Sequence, residues 1–164
     1  MKEKRIYDQT LSQKYERILV LDVETTGLDS VDDRIIEFGG VLIGQTFYRR
    51  FRNILDERDI FIKQSAKLKD EIVNLTGITD QLLLERGQDE SVLAKFFESV
   101  FAKQTDLLVT GYNIGFDMCF ITQFMRRNGF PGWKFEGDMI DVMTVYRDHY
   151  HFVNTKMPGS DKKY

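Results

Sequence analysis

Two carboxylates one residue apart, Asp22 and Glu24, close an apolar and β-branched run, Arg17-Ile18-Leu19-Val20-Leu21-Asp22-Val23-Glu24-Thr25-Thr26-Gly27-Leu28-Asp29. Ile18 to Val23 has the composition of a buried strand. Strand side chains alternate faces, so both acids fall side by side on one face. Two anions there repel each other and lose hydration unless cations are supplied. Hard divalent ions with oxygen ligands, Mg²⁺ or Mn²⁺, are the natural partners. A strand that simply ends and lets its acids reach solvent explains one acid easily and two on one face poorly.

Asp117 is the third acid, in Gly111-Tyr112-Asn113-Ile114-Gly115-Phe116-Asp117. It follows a short apolar strand, Asp106 to Thr110, and enters the first turn of the helix Phe116 to Asn128. A helix dipole favours a carboxylate in that turn, so a purely structural role is the competing reading. With the strand of Asp22 and Glu24 as neighbour, the three acids converge at one sheet edge. Ligand sites in open α/β sheets fall at the carboxyl ends of strands, where both landmarks lie.

The elements that must position these acids follow in order. Residues 1–16 read as an arm or short helix with Leu11 and Tyr15 at helical spacing, and residues 17–164 as one domain. After the first strand, Gly27 is expected to supply a backbone angle that other residues resist. Arg34 to Ile43 predicts a second strand burying Ile36, Phe38, Val41 and Ile43, and Gln45 to Phe51 a third beyond a hairpin at Gly44. Three consecutive strands with short links favour an antiparallel meander. Residues 53–63 read as a loop or irregular edge. Ser65 to Leu75 has helical spacing through Leu68, Ile72 and Leu75; Gly77 stops it, and Thr79 caps a helix over Asp80 to Glu85. Asp89 or Ser91 starts a longer helix with the face Val92, Phe96, Phe97 and Val100. The Asp106–Thr110 strand is expected parallel to the first, Lys134 to Ile140 gives a fifth strand, and Asp141 to His149 a last helix. Strands and helices in this order predict one α/β mixed sheet with helices packed on it.

Composition sets the outer bounds. A chain of 164 residues, 42% hydrophobic and 13% aromatic, suits one domain with a real core. No apolar run reaches the length of a membrane span. The basic start, Met-Lys-Glu-Lys-Arg, is not followed by an apolar signal core, and the single Cys119 cannot form an internal disulfide, so a cytoplasmic protein is the default. A net charge of −3 argues against holding nucleic acid by bulk positive charge. An enzyme acting on nucleic acid stays open, because metal ions supply local positive charge.

Asp22-Val23-Glu24-Thr25-Thr26-Gly27 and Tyr112-Asn113-Ile114-Gly115-Phe116-Asp117 resemble the first two motifs of the DnaQ-like (DEDD) 3′→5′ exonucleases. This family includes the proofreading epsilon subunit or exonuclease domain of bacterial DNA polymerase III. Ile35-Ile36-Glu37-Phe38-Gly39, Leu75-Thr76-Gly77-Ile78-Thr79 and Ile140-Asp141-Val142 resemble its connecting segments. The resemblance implies an RNase H-like five-stranded sheet, antiparallel over strands one to three and parallel beyond. It implies that Asp22, Glu24 and Asp117 bind two Mg²⁺ or Mn²⁺ ions and that the substrate is a single-stranded DNA or RNA 3′ end releasing nucleoside monophosphates. Thr25 and Thr26 would hold the terminal nucleotide, largely through backbone groups, Leu28 would pack on its base, and Asn113 and Phe116 would line the approach. The plainer readings are a turn for Thr26-Gly27, core for Phe116 and a helix cap for Asn113. A DNA polymerase or a fused domain is the implied partner, with no membrane involved.

The family's third motif, His-x-x-x-x-Asp or Tyr-x-x-x-Asp, supplies a fourth metal-binding Asp and a general base. Neither pattern follows Asp117: His149 leads to Asn154, His151 to Lys156, Tyr146 to Tyr150 and Tyr150 to Asn154. The expectation is a C-terminally incomplete domain whose sheet is present and whose closing helix is absent, with activity reduced or lost. Asp138, Asp141 and Asp148 read as a strand end, a cap and surface. Two other readings stand beside the nuclease. One is a non-catalytic module of the same fold that binds nucleic-acid ends or a partner protein; the other is a two-metal hydrolase of small phosphate esters.

Overall fold

The computed structural model describes residues 11–46 and 51–150. Strand β1 (Arg17–Thr25) pairs antiparallel with β2 (Ile35–Gln45), and β2 pairs antiparallel with β3 (Phe51–Phe61). Helices α1 (Asp70–Thr76), α2 (Asp80–Arg86) and α3 (Glu90–Val100) follow. Then β4 (Leu107–Gly111) lies parallel to β1, α4 (Ile114–Arg127) leads away from it, β5 (Asp138–Asp141) lies parallel to β4, and α5 (Val142–Tyr150) follows. The sheet order is β3-β2-β1-β4-β5, so β1 is central and its carboxyl end points the same way as that of β4. This is the mixed five-stranded sheet that the order of elements predicts.

Alternation along β1 separates its two faces. Leu19, Leu21, Val23 and Thr25 are buried, while Val20 and Asp22 are exposed and Ile18 and Glu24 half-buried. The buried row meets Phe38 and Leu42 of β2, Phe97 and Val100 of α3, and Met118, Ile121 and Phe124 of α4 in one core. Phe97 is its hub, meeting Phe38 edge-on at 5.0 Å and Phe124 at 5.9 Å. Such edge contacts add about 0.5–1.5 kcal/mol each beyond burial itself. A smaller cluster of Ile36, Phe61, Leu68, Ile78 and Leu83 joins α2 to the far ends of β2 and β3. One helical turn at residues 11–14 docks on the sheet: Tyr15 is buried, its hydroxyl donates to Asp138 at 2.9 Å, and the Gln45 side-chain amide donates to the Ser12 carbonyl at 2.6 Å.

Several sequence expectations change. The third strand is Phe51–Phe61, not Gln45 to Phe51, and the expected hairpin glycine Gly44 lies inside β2. Residues 53–61 look like loop because they are charged; β3 is an edge strand, where charge is the ordinary protection against further pairing. In β2, Ile36 and Phe38 are buried as expected, but Val41 and Ile43 belong to the opposite face and are half-buried; Leu42 takes the core position. Helix α1 begins at Asp70, not Ser65, and Leu75 is 71% exposed, although Leu68 is buried from the preceding loop. The face of α3 is Leu93, Ala94, Phe97 and Val100, with Val92 exposed. Gly77 does stop α1 in the left-handed conformation (φ 77°), and the Thr79 hydroxyl accepts from the Leu82 N–H, as read from the sequence. Asp89 caps α3 by accepting from the Ser91 N–H. Residues 1–10, His151 and the Asn154–Tyr164 segment lie outside the described residues. Among the described residues no helix is long and apolar enough to cross a membrane.

Candidate active site

Parallel pairing sets up the site. Arg17 to Val20 of β1 align with Leu107 to Thr110 of β4, and then β4 stops at Gly111 while β1 runs on to Thr25. Gly111 passes so close to β1 that a Cβ there would lie 2.5 Å from the Leu21 carbonyl oxygen. The chain then leaves the sheet, and the end of β1 has no strand partner on that side. Asp117 fills the gap: its Oδ1 accepts from the Val23 N–H at 2.9 Å. A side chain thus completes the ladder, which satisfies a buried donor and fixes the carboxyl against β1.

The turn before Asp117 is held equally firmly. Asn113 sits in the left-handed region (φ 59°), which asparagine tolerates better than most residues. It occupies the N-cap position of α4 without a side-chain cap bond. Its N–H donates to Asp141 Oδ1 at 2.9 Å, and the same carboxylate accepts from the Met143 N–H and the Thr144 hydroxyl. Asp141 is therefore the expected cap of the last helix, and it also ties that helix to the Asn113 turn. Phe116 is half-buried, its ring 4.9 Å from that of Phe120.

Asp22 and Glu24 project from the face of β1 away from the core. Opposite Asp22 in β2 is Gly39, where an added Cβ would meet nothing within 4 Å, so this face is open. Opposite Glu24 is Glu37, and opposite Gly39 in β3 is Asp59. Burial raises the Asp22 carboxyl above the ordinary range; burial and then Asp22 raise Glu24. Glu37 is pushed up to about 7 by burial first, then by Asp59, Glu24 and Asp22. Asp117, only 2% exposed, is also pushed up to about 7, mainly by burial, with the Val23 N–H opposing and Asp22 and Glu24 adding to the rise. Asp22, Glu24 and Asp117 thus share one electrostatic neighbourhood. Among the described residues, no three His, Cys, Asp or Glu side chains stand close enough together to hold a metal ion. Glu37 and Asp59 carried no role in the sequence reading. Alternation in Ile36-Glu37-Phe38 marked Glu37 as facing away from the core, but only the β1–β2 register puts it beside Glu24.

The turn after β1 is a bonded loop with one apolar tip. The Thr25 hydroxyl donates to the Gly27 carbonyl at 2.6 Å. The Thr26 hydroxyl donates to Asp33 Oδ1 and accepts from the Arg34 N–H, while the Thr26 N–H donates to the Arg34 carbonyl. Arg34 donates to the carbonyls of Val31, Asp32 and Asp33, and Arg127 reaches those of Ser30 and Val31. Gly27 is needed for room and not for an unusual angle: a Cβ there would lie 2.3 Å from Asp33 Oδ2, and the positive-φ glycines among the described residues are Gly77 and Gly129. Leu28 projects from this loop, 86% exposed.

Comparison with known proteins gives these features a family. The model of the Exonuclease (RNase T) family matches residues 19–159. The PolC-type DNA polymerase III of Listeria monocytogenes is 32% identical over 158 residues, 96% of this chain and 10% of that protein. The Staphylococcus haemolyticus enzyme of the same name is 38% identical over 112 residues, 68% of this chain and 7% of that one. The chain therefore spans about a tenth of the length of the curated relatives it matches. Among solved structures, product-bound exonuclease I aligns with a TM-score of 0.66 at 23% identity, over 84% of this chain and 32% of that one. Exonuclease I of E. coli in complex with a dT13 oligonucleotide gives 0.66 at 22%, over 82% and 30%. At these identities the likeness shows the fold, the RNase H-like sheet with flanking helices.

Proposed function

The chain belongs to the Exonuclease family, and from that premise we propose that it removes nucleoside monophosphates from the 3′ end of single-stranded DNA with the help of divalent metal ions. The observation that carries the reading is Asp117 fastened to the backbone of the very strand that bears Asp22 and Glu24. The donor set fits a hard cation by its chemistry: three carboxylates, all raised by burial and by one another. Asp22, Glu24 and Asp117 would hold two Mg²⁺ or Mn²⁺ ions, which supply an activated water and charge stabilisation at the leaving oxygen. Asp117, with Oδ1 committed to Val23, offers its second oxygen from a fixed position. Asp22 and Glu24, on the open face, have the freedom to adjust to ligand.

The loop around Leu28 suits a terminal nucleotide. Its hydroxyls and its Thr26 N–H are engaged internally, so it is preformed, and Leu28 offers an apolar surface on which any base can pack. Likeness to DNA polymerase III favours DNA over RNA as substrate. The test is degradation of 5′-labelled single-stranded DNA and RNA with Mn²⁺ or Mg²⁺, with Asp22→Ala beside the parent. We expect a ladder shortening from the 3′ end, at least ~100-fold slower in the variant, the scale of losing a main electrostatic contributor.

One observation favours a second reading, a module of this fold that binds a nucleic-acid end without cutting it. No His-x-x-x-x-Asp or Tyr-x-x-x-Asp spacing follows Asp117. Binding of labelled single strands by folded protein that leaves them uncut in both metals would replace the first reading with this one.

A further inference from the structure

The segment joining β3 to α1, residues 62–69, is irregular in backbone yet fastened at both ends. Gln64 donates through its side-chain amide to the carbonyls of Ile35 and Ile62, at 3.1 and 3.2 Å. The Leu68 N–H donates to Asp80 Oδ1 at 2.8 Å, and the Leu68 side chain is buried. Between these anchors Ser65, Ala66 and Lys67 are exposed, as is Lys69 beyond. The segment forms a ridge between two hollows. One, of about 310 Å³, lies against the Thr26–Arg34 turn and is lined by Thr26, Asp32, Arg34, Lys67 and Lys69. The other, of about 380 Å³, is lined on the ridge's far side by Lys63, Lys67, Asp80 and Leu84.

The charges on this ridge are unbalanced. Asp33 is occupied by the Thr26 hydroxyl and the Asp29 N–H, and Asp80 by the Leu68 N–H. Arg34 is held on three carbonyls but keeps its positive charge. Neither Lys67 nor Lys69 forms an ion pair with a described residue, and Asp32 is the one acid in the first hollow without a side-chain hydrogen bond. A net-negative chain thus presents unpaired lysines beside the turn that starts two residues beyond Glu24. Exposed lysines on a pinned ridge suit a polyanion that passes over them, since each phosphate contact releases a counterion whatever the base.

We propose that Lys67 and Lys69 form the phosphate track for the nucleotides that precede the 3′-terminal one, carrying the single strand past Thr26 to the carboxylates. This rests on the exonuclease reading, but strand binding and strand cutting are measured separately. The experiment is fluorescence anisotropy of a 5′-fluorescein oligothymidylate of about eight nucleotides, within the usual span of one single-strand site. It is titrated with Asp22→Ala protein at several salt concentrations. Adding Lys67→Gln and Lys69→Gln should weaken binding about tenfold at low salt and flatten the plot of log Kd against log salt by about 1.4, or 0.7 for each phosphate released. Lys95→Gln with Lys103→Gln removes the same charge elsewhere and should change Kd less than about twofold, by screened long-range attraction alone. Equal loss in both pairs, an unchanged slope, or no binding by the parent would overturn the track. The 3′-ladder assay on protein with Asp22 intact decides the exonuclease reading by itself: cleavage with an unchanged slope defeats the track alone, and binding with the expected slope but no cleavage defeats catalysis alone.

Discussion

At the scale of single residues, Asp117 has two separable duties. Its Oδ1 satisfies the Val23 N–H, and its charge stands in a crowd of carboxylates. Asp117→Asn keeps an acceptor for Val23 and removes the charge. We expect thermal stability in chelator at pH 8 to rise, and cleavage to fall by at least ~100-fold as a charged metal-site group is lost. Asp117→Leu also removes the acceptor and should be less stable than the Asn variant by about 1–3 kcal/mol, the cost of a buried unpaired N–H. Urea unfolding of the two variants in chelator measures the difference; equal stability would mean that the Val23 bond contributes nothing. The pairing of Asp22 with Glu24 was legible from alternation alone, and Asp117 from its place after a strand. The bond from Asp117 to Val23 was not legible, because it depends on β4 ending before β1 does. Gly27 was legible as a special position for the wrong reason: the sequence shows a glycine in a turn, whereas the requirement is space for Asp33.

At the scale of elements, the site depends on the joint between β4, α4 and β5. Asp141 binds the Asn113 N–H across that joint, and Asn113 holds the left-handed angle that turns the chain into α4. Asp141→Ala should lower stability by about 1–2 kcal/mol through the lost cap, and should slow cleavage because α4 carries Asp117. Asp141→Asn, which can still accept, should recover most of both, as read by thermal melts and by the 3′-ladder rate. Loss of stability with an unchanged rate would separate the joint from the site. Asn113→Gly should be nearly neutral, whereas Asn113→Ala must take a positive φ with a Cβ and should cost about 1 kcal/mol. Helix α4 and strands β1, β4 and β5 were readable because apolar runs end at clear turn signals. Strand β3 was not, because the charges that protect an edge strand also hide its alternation. Helix α1 was overextended toward Ser65 because Leu68 keeps helical spacing while it packs from a loop.

At the scale of the whole molecule, the open face of the sheet gathers Asp22, Glu24 and Glu37, with Asp117 at its edge, and all four are raised. A raised carboxyl binds its proton more tightly in the folded state than in the unfolded chain. Its contribution to stability is therefore full below the unfolded value near 4 and is lost as pH rises through the folded value, about 7 for Glu37 and Asp117. The lowered acids Asp89 and Asp138 work the other way, stabilising above their ordinary range and losing that as pH falls, but both are fully exposed and weigh little. Metal-free protein should then melt several degrees lower at pH 8 than at pH 5. A cation that binds the folded site adds RT ln(1 + [L]/Kd), about 2.7 kcal/mol at a hundredfold excess over Kd. Mn²⁺ should raise the melting temperature more at pH 8, where the carboxylates are ionised, than at pH 5, and hardly at all in Asp22→Ala. Calorimetric scans in chelator and in Mn²⁺ at the two pH values decide this without any measurement of activity. A melting temperature independent of pH in chelator would show that the acids are not held against their charge. A Mn²⁺ shift that survives Asp22→Ala would place the bound ion elsewhere.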